Sequence, residues 1–311
     1  MRAARFHGPG DLRVEEVPDP KPGRGDVLVQ IELALTDGTD LKAFRRGHPL
    51  LMSQLPSPFG HEFCGFDVAT GKRVVAANSA PCGTCPQCTR NHETLCENLL
   101  PLLNGAYAEL LVVPERIARV NLHPVPRTVA SEVAALVEPL ACALHAVEGI
   151  DAGQTVAVLG PGPMCMLLSA CLRDAGAEVI VAGGTAERRA LATEFGGIPG
   201  DARNADVVIE ATGKPKGWRD AVQAVRRGGA VVFFGGIQGE VELDAERLHY
   251  DELTVRGAFH HTPRTVRAAL AFLTSGAYPW ERLLTHEIVL EQLPGFFAAP
   301  PDGYLKAIVR P

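Results

Sequence analysis

The sequence predicts an α/β protein in two parts. A β-rich portion occupies residues 1–125, and a doubly wound parallel sheet occupies residues 126–262, with residues 263–311 returning to the first portion. Two patterns lead to this reading. Asp26–Leu35 (DVLVQIELAL) alternates apolar and polar residues, as a half-buried strand must, and follows a Pro/Gly turn cluster at Pro18, Pro20, Pro22, Gly23 and Gly25. From Thr155 onward, short apolar runs alternate with helix-length segments, the signature of parallel strands joined by crossover helices.

In the first portion Lys72–Ala77 and Ala108–Val113 are further strand candidates. Ser131–Val147 is Ala-rich and reads as one helix with Ser131 as N-cap. In the second portion Thr155–Leu159 is a buried strand, Pro163–Ala175 a helix ended by Gly176, and Glu178–Val181 the next strand. Val207–Ile209 and Ala230–Phe234 are strands flanking a helix over Trp218–Arg227, and a helix from Pro263 to Leu273 opens the return.

Composition narrows the function classes. A net charge of −6 with interspersed signs and no basic run gives no support to a nucleic-acid surface. The start, MRAARFH, lacks an apolar signal region, and no uninterrupted apolar stretch approaches membrane-spanning length. The expectation is a cytoplasmic enzyme with no membrane partner. Its 8 cysteines fit metal ligation plus buried thiols better than a disulfide scaffold.

Four of those cysteines, Cys82, Cys85, Cys88 and Cys96, form the pattern C-x2-C-x2-C-x7-C within a lobe over residues 80–98. Thiolates this close on a Gly/Pro-rich loop wrap one tetrahedral zinc, and a four-cysteine site is closed to substrate and therefore structural. The competing reading is unrelated thiols or two disulfides. Gly160-Pro161-Gly162-Pro163 lies between a strand and a helix, where glycines admit a pyrophosphate and the helix N-terminus stabilises it. Cys165 stands where the third glycine of that fingerprint belongs. After the second strand the sequence reads Ala182-Gly183-Gly184-Thr185, followed by Arg188 and Arg189, with no carboxylate for a ribose 2′-hydroxyl. Thr185 and one of the two arginines can hold a 2′-phosphate, so NADP is favoured over NAD; the bland alternative is that both arginines are solvated charges.

Gly60-His61-Glu62, the four-cysteine lobe, Gly105-Ala106-Tyr107-Ala108-Glu109, Glu138-Pro139-Leu140, the GPGP loop and Ala211-Thr212-Gly213 together carry a family resemblance nearly end to end. The chain resembles the zinc-dependent medium-chain alcohol and polyol dehydrogenases, in the branch with sorbitol, threonine and glucose dehydrogenases. That resemblance implies a GroES-like catalytic domain, a Rossmann domain, and two zinc ions per chain, one structural and one catalytic. It implies Asp37, His61 and Glu62 as catalytic-zinc ligands, with Glu138 a fourth ligand or the holder of the water. It further implies Thr39 as a hydroxyl relay, and Gly160, Gly162, Pro163 and the Thr212-Gly213 turn as cofactor positions. A small alcohol, polyol or sugar is the expected substrate, and a homodimer or homotetramer the expected assembly.

The chain departs from the family at four places. Asp37-Gly38-Thr39-Asp40 replaces the usual Cys-Gly-Thr-Asp, so a carboxylate stands for the first thiolate ligand, as in the halophilic glucose dehydrogenases it resembles. Zinc accepts carboxylate oxygen at about 2.0–2.2 Å, and such a harder site favours soft metals less. The alternative role for Asp37 is an N-cap on the following turn. Lys42 stands where the family often has a relay histidine, and residues 65–74 and 197–206 are shortened. Cys64, Cys142, His145, His260 and His261 read as packing or cleft-lining residues. Two rival classes are a zinc-free quinone or enoyl reductase of the same superfold and a cofactor-binding protein that has lost catalysis.

Overall fold

The computed structural model describes residues 1–52 and 54–311, which form two compact units: Met1–Glu138 with Thr262–Pro311, and Pro139–His261. In chain order the first unit contributes β1 (Arg2–Gly8), β2 (Asp11–Glu16), β3 (Val27–Leu35), α1 (Gly38–Arg46), β4 (Ser57–Pro58), β5 (Glu62–Asp67) and β6 (Arg73–Ala76). There follow α2 (Pro86–Thr89), β7 (Leu110–Val113), α3 (Glu115–Asn121), β8 (Leu122–Pro124), α4 (Ser131–Ala134) and the start of α5 (Val137–Ala146).

The second unit runs β9 (Thr155–Leu159), α6 (Pro163–Asp174), β10 (Glu178–Ala182), α7 (Ala186–Ala192), β11 (Gly197–Pro199), β12 (Ala205–Glu210), α8 (Pro215–Ala224), β13 (Val225–Phe233), α9 (Ala245–Tyr250) and β14 (Thr254–Gly257). The chain then re-enters the first unit through α10 (Pro263–Thr274), β15 (Leu284–Val289), α11 (Leu293–Ala298) and β16 (Lys306–Arg310).

In the first unit β15, β16, β3, β5, β6 and β8 lie side by side, with β7 also paired to β3; β2, β1 and β4 make a small second sheet. The apolar alternation in β3 sends Val29, Ile31 and Leu33 into the core, where they are fully or nearly buried. An aromatic cluster of Phe6, Phe59, Tyr107, Phe297 and Phe44 fills the interior, with adjacent ring centroids between 5.7 and 6.2 Å. In the second unit six parallel strands take the order β11-β10-β9-β12-β13-β14, a doubly wound sheet.

Four sequence expectations are corrected. The single helix over 131–147 is two helices, α4 and α5. A continuous helix would place Pro139 in its interior, without an N–H for the Ala135 carbonyl and with its ring against it. The break at Ala135–Leu136 puts Pro139 in the first turn of α5, where the missing N–H costs nothing. Ser131 does not cap: Ala130 is the N-cap, and the Ser131 hydroxyl donates to Glu32 (2.6 Å) while accepting from Arg73 (3.1 Å). These bonds, with Arg73 to the carbonyls of Pro126 and Val129 (2.7 and 2.6 Å), tie residues beyond 125 to β3 and β6, and the first unit extends to Glu138. Finally, α8 covers Pro215–Ala224 rather than Trp218–Arg227, because Arg226 is drawn into β13 by a 2.6 Å ion pair with Asp206.

Candidate active site

Asp37 sits immediately after β3, as the N-cap of α1. One carboxylate oxygen accepts from the Thr39 amide at 2.9 Å, and Asp40 reaches back to the Asp37 amide at 3.1 Å, completing a capping box. His61 immediately precedes β5 and Glu62 opens it. Gly60 precedes them at φ +90, and a Cβ there would lie 2.5 Å from the Tyr107 ring, so only glycine lets the aromatic core press against the strand entrance. One ligand atom from each of Asp37, His61 and Glu62 lies within 4.8 Å of the others, with His61 and Glu62 buried.

Three residues that the sequence reading did not assign complete this cluster. Asp40, buried, faces His61 Nδ1 at 3.2 Å, and Tyr107 donates its hydroxyl to Asp40's other oxygen and lies 3.0 Å from the Leu35 carbonyl. Such a carboxylate fixes the ring's tautomer and leaves Nε2 for a ligand. Lys306, fully buried at the start of β16, donates to both oxygens of Glu62 (2.8 and 2.6 Å) and to the Thr36 carbonyl (3.0 Å), and stands 3.7 Å from Asp37.

The charges do not balance. Four carboxylates (Asp37, Asp40, Glu62, Glu138) gather here around His61 and one buried ammonium, Lys306, among the described residues, and burial pushes Glu62 well above the usual carboxylate range. Burial opposes a charged imidazole, yet Asp40, Glu138 and Asp37 push His61 up to about 10. Burial likewise opposes the Asp37 carboxylate, but Lys306, His61 and Thr39 hold it well below the usual carboxylate range. Lys306 is held above the ordinary lysine value by Glu62 and Asp37 despite its burial. A buried oxygen-and-imidazole set with surplus negative charge suits a divalent cation of zinc's type.

Glu138, the acidic residue in the first turn of α5, is buried and interacts electrostatically with His61 and Glu62. Thr39 bonds to Asp37 through its side chain as well as its amide. Lys42 is partly buried on α1. Cys64 is buried on β5, and burial pushes its thiol up to about 12, which marks a packing residue rather than a nucleophile.

The four lobe cysteines also converge, with one sulfur from each within 4.8 Å of the others and no disulfide among the described residues. Amide groups point at the sulfurs: Cys82 to Cys96 (3.2 Å), Cys85 to Cys82 (3.3 Å) and Asn98 to Cys96 (3.4 Å). Hydrogen bonds from Thr84, Asn98 and Cys85 push Cys82 down to about 5, favouring the thiolate a metal requires.

In the second unit the strand ends surround a cavity of about 540 Å³, lined by Gly160, Gly183, Gly184, Thr212 and Arg203 among others. Gly162 is the N-cap of α6 and Pro163 its first residue. Gly160 lies at φ +98, and a Cβ on it would come within 2.6 Å of the Thr212 methyl. The buried Glu210 carboxylate anchors that partner turn, accepting from the Thr212 hydroxyl, the Thr212 amide (2.7 Å) and the Gly213 amide (3.1 Å). Gly160→Ala is therefore expected to cost about 1–3 kcal/mol of stability and to weaken NADPH binding at least tenfold, read by urea unfolding and fluorescence titration. Thr185 caps α7 by accepting from the Arg188 amide (3.4 Å), and Arg189 donates to the carbonyls of Gly183 (2.9 Å) and Gly184 (2.8 Å).

Comparison with known proteins places these features in one lineage. Residues 23–123 match the alcohol dehydrogenase GroES-like domain, and residues 200–275 match the zinc-binding dehydrogenase domain. A zinc-binding dehydrogenase of Sinorhizobium meliloti 1021, solved bound to NADP, is 32% identical with a TM-score of 0.87, covering 100% of this chain and 99% of that one. The 2R,3R-butanediol dehydrogenase of Bacillus subtilis is 27% identical with a TM-score of 0.86 over 100% of this chain and 99% of that one. The sorbitol dehydrogenase of Halalkalibacterium halodurans is 27% identical, covering 98% of this chain and 97% of its own length.

Proposed function

Since the chain belongs to the zinc-dependent medium-chain alcohol and polyol dehydrogenases and is an NAD(P)-linked oxidoreductase, we propose that it transfers hydride between a polyol, sugar or secondary alcohol and NADP, using Asp37, His61, Glu62 and Glu138. The observation that carries this reading is the convergence of ligand atoms from Asp37, His61 and Glu62 within 4.8 Å, in a buried cluster short of positive charge.

Zinc held there supplies the Lewis acidity that makes an alcohol hydroxyl acidic near neutral pH. Asp40 and Tyr107 hold His61 in the tautomer a metal needs. Lys306 engages both oxygens of Glu62, so Glu62 would offer a metal a charge already shared with that ammonium, alongside Asp37 and His61. Thr39, bonded to Asp37, takes the hydroxyl proton outward. Gly160 admits the pyrophosphate against the α6 N-terminus, and the Thr212-Gly213 turn supports the nicotinamide end. The lobe cysteines hold a second, closed zinc, giving two per chain.

NADP is favoured because Gly183 and Gly184 follow β10 where a carboxylate would repel a 2′-phosphate. A homodimer or homotetramer is supported by β14, an edge strand that pairs only with β13 among the described residues, with Val255 and Tyr250 exposed. A cytoplasmic location agrees with the absence of a disulfide among the described residues, and no helix among them is long and apolar enough to cross a membrane. Assaying polyols, aldoses and secondary alcohols with NAD and NADP tests the proposal on metal-quantified protein. It predicts zinc-dependent oxidation of at least one class with NADP preferred; zinc-independent reduction of quinones or enones would contradict it.

A further inference from the structure

The strand beside β10 brings a second pair of charges to the mouth of the dinucleotide cavity. β11 runs parallel to β10 with Val181 opposite Pro199, and the Gly200 amide donates to the Val181 carbonyl at 3.1 Å. Gly183 and Asp201 follow two residues past that register, and both line the cavity with Gly184 and Arg203. The connection from β11 to β12 spans only residues 200–204.

On the β10 side, the rim is largely backbone. Gly183 and Gly184 have no side chains, and Arg189 is committed to their carbonyls. On the β11 side, Asp201 accepts from the Arg203 amide at 3.0 Å and from its Nε at 2.6 Å, which holds the guanidinium at the rim. The Arg203 side chain is 82% exposed and Asp201 57%, so water screens the pair and a stronger anion can replace the carboxylate. A phosphate is such an anion, and it matches the planar guanidinium fork bidentately. The other carboxylate lining the cavity, Asp220, is already paired to Lys216 at 2.6 Å.

We propose that Arg203 reads the adenosine ribose, exchanging Asp201 for the 2′-phosphate of NADP, so that cofactor discrimination is made from β11 rather than from the end of β10. The inference rests on the NADP preference proposed above, and the test separates the two. Calorimetric titration with 2′,5′-ADP and 5′-AMP compares wild type, Arg203→Gln and Asp201→Asn, all exposed substitutions checked for unchanged melting. Wild type is expected to bind 2′,5′-ADP at least tenfold more tightly than 5′-AMP. Arg203→Gln is expected to bring that ratio near one through loss of 2′,5′-ADP affinity alone, while Asp201→Asn preserves or raises it. A wild-type ratio above ten that survives Arg203→Gln overturns the role of Arg203 and leaves the NADP preference standing. A wild-type ratio near one overturns the NADP preference, and the proposal with it.

Discussion

Lys306→Met is expected to destabilise the protein by about 3–5 kcal/mol, the cost of leaving a buried charge uncompensated. Lys306 is fully buried, and both oxygens of Glu62 and one of Asp37 lie within 3.7 Å of its ammonium. Methionine fills nearly the same volume, so packing alone accounts for little of the loss. The effect has a second signature. Removing the ammonium leaves Glu62 and Asp37 without their cationic partner, and a dication that binds only the folded state then stabilises the variant more than the wild type. Urea unfolding at controlled free zinc measures both quantities. A loss under about 1 kcal/mol, or a deficit insensitive to zinc, would show that the carboxylates are neutral rather than ion-paired.

Asp37→Asn is expected to reduce kcat/KM by at least about a thousandfold, roughly 4 kcal/mol of transition-state stabilisation. The substitution separates two roles of one side chain. Asn caps helices about as well as Asp, so the bond to the Thr39 amide persists and α1 keeps its start. Only the charge is lost, and with it the anionic oxygen for a metal. Stability is expected to fall, because Lys306 and His61 favour the ionised Asp37 carboxylate in the folded protein and the variant loses those attractions. Asp37→Cys supplies a thiolate, a good zinc ligand, and is expected to recover turnover that the Asn variant loses. Full activity in Asp37→Asn would reduce Asp37 to a cap.

Much of this was legible in the sequence because its signals are local. Thr155–Leu159 and the start of the following helix at Pro163 agree with β9 and α6 to the residue, since an apolar run, a Gly-Pro loop and a proline at the first helical position mark them. The cysteine spacing likewise brings four sulfurs together without help from distant residues. Lys306 was not legible: it lies 244 positions from Glu62, and nothing local distinguishes it from a surface lysine. Asp40 was in view as part of the Asp-Gly-Thr-Asp motif, but its role depends on Tyr107, 67 positions away. A carboxylate three residues after a candidate ligand, in a capping box, was the available hint. The helix break at 135–136 could have been read, since Pro139 forbids a continuous helix from Ser131. Arg203 is visible only once β11 lies beside β10, because strand order, not spacing, brings it to the cavity.

The proposed function puts the metal on which turnover depends at Asp37, His61 and Glu62, separate from the cysteine lobe. Zinc content and activity followed together during stepwise chelation test it most directly. Two zinc ions per chain are predicted, with turnover lost in step with the one released from the non-cysteine site while the lobe's zinc stays bound. One zinc per chain, held by Cys82, Cys85, Cys88 and Cys96 alone at undiminished turnover, would contradict it.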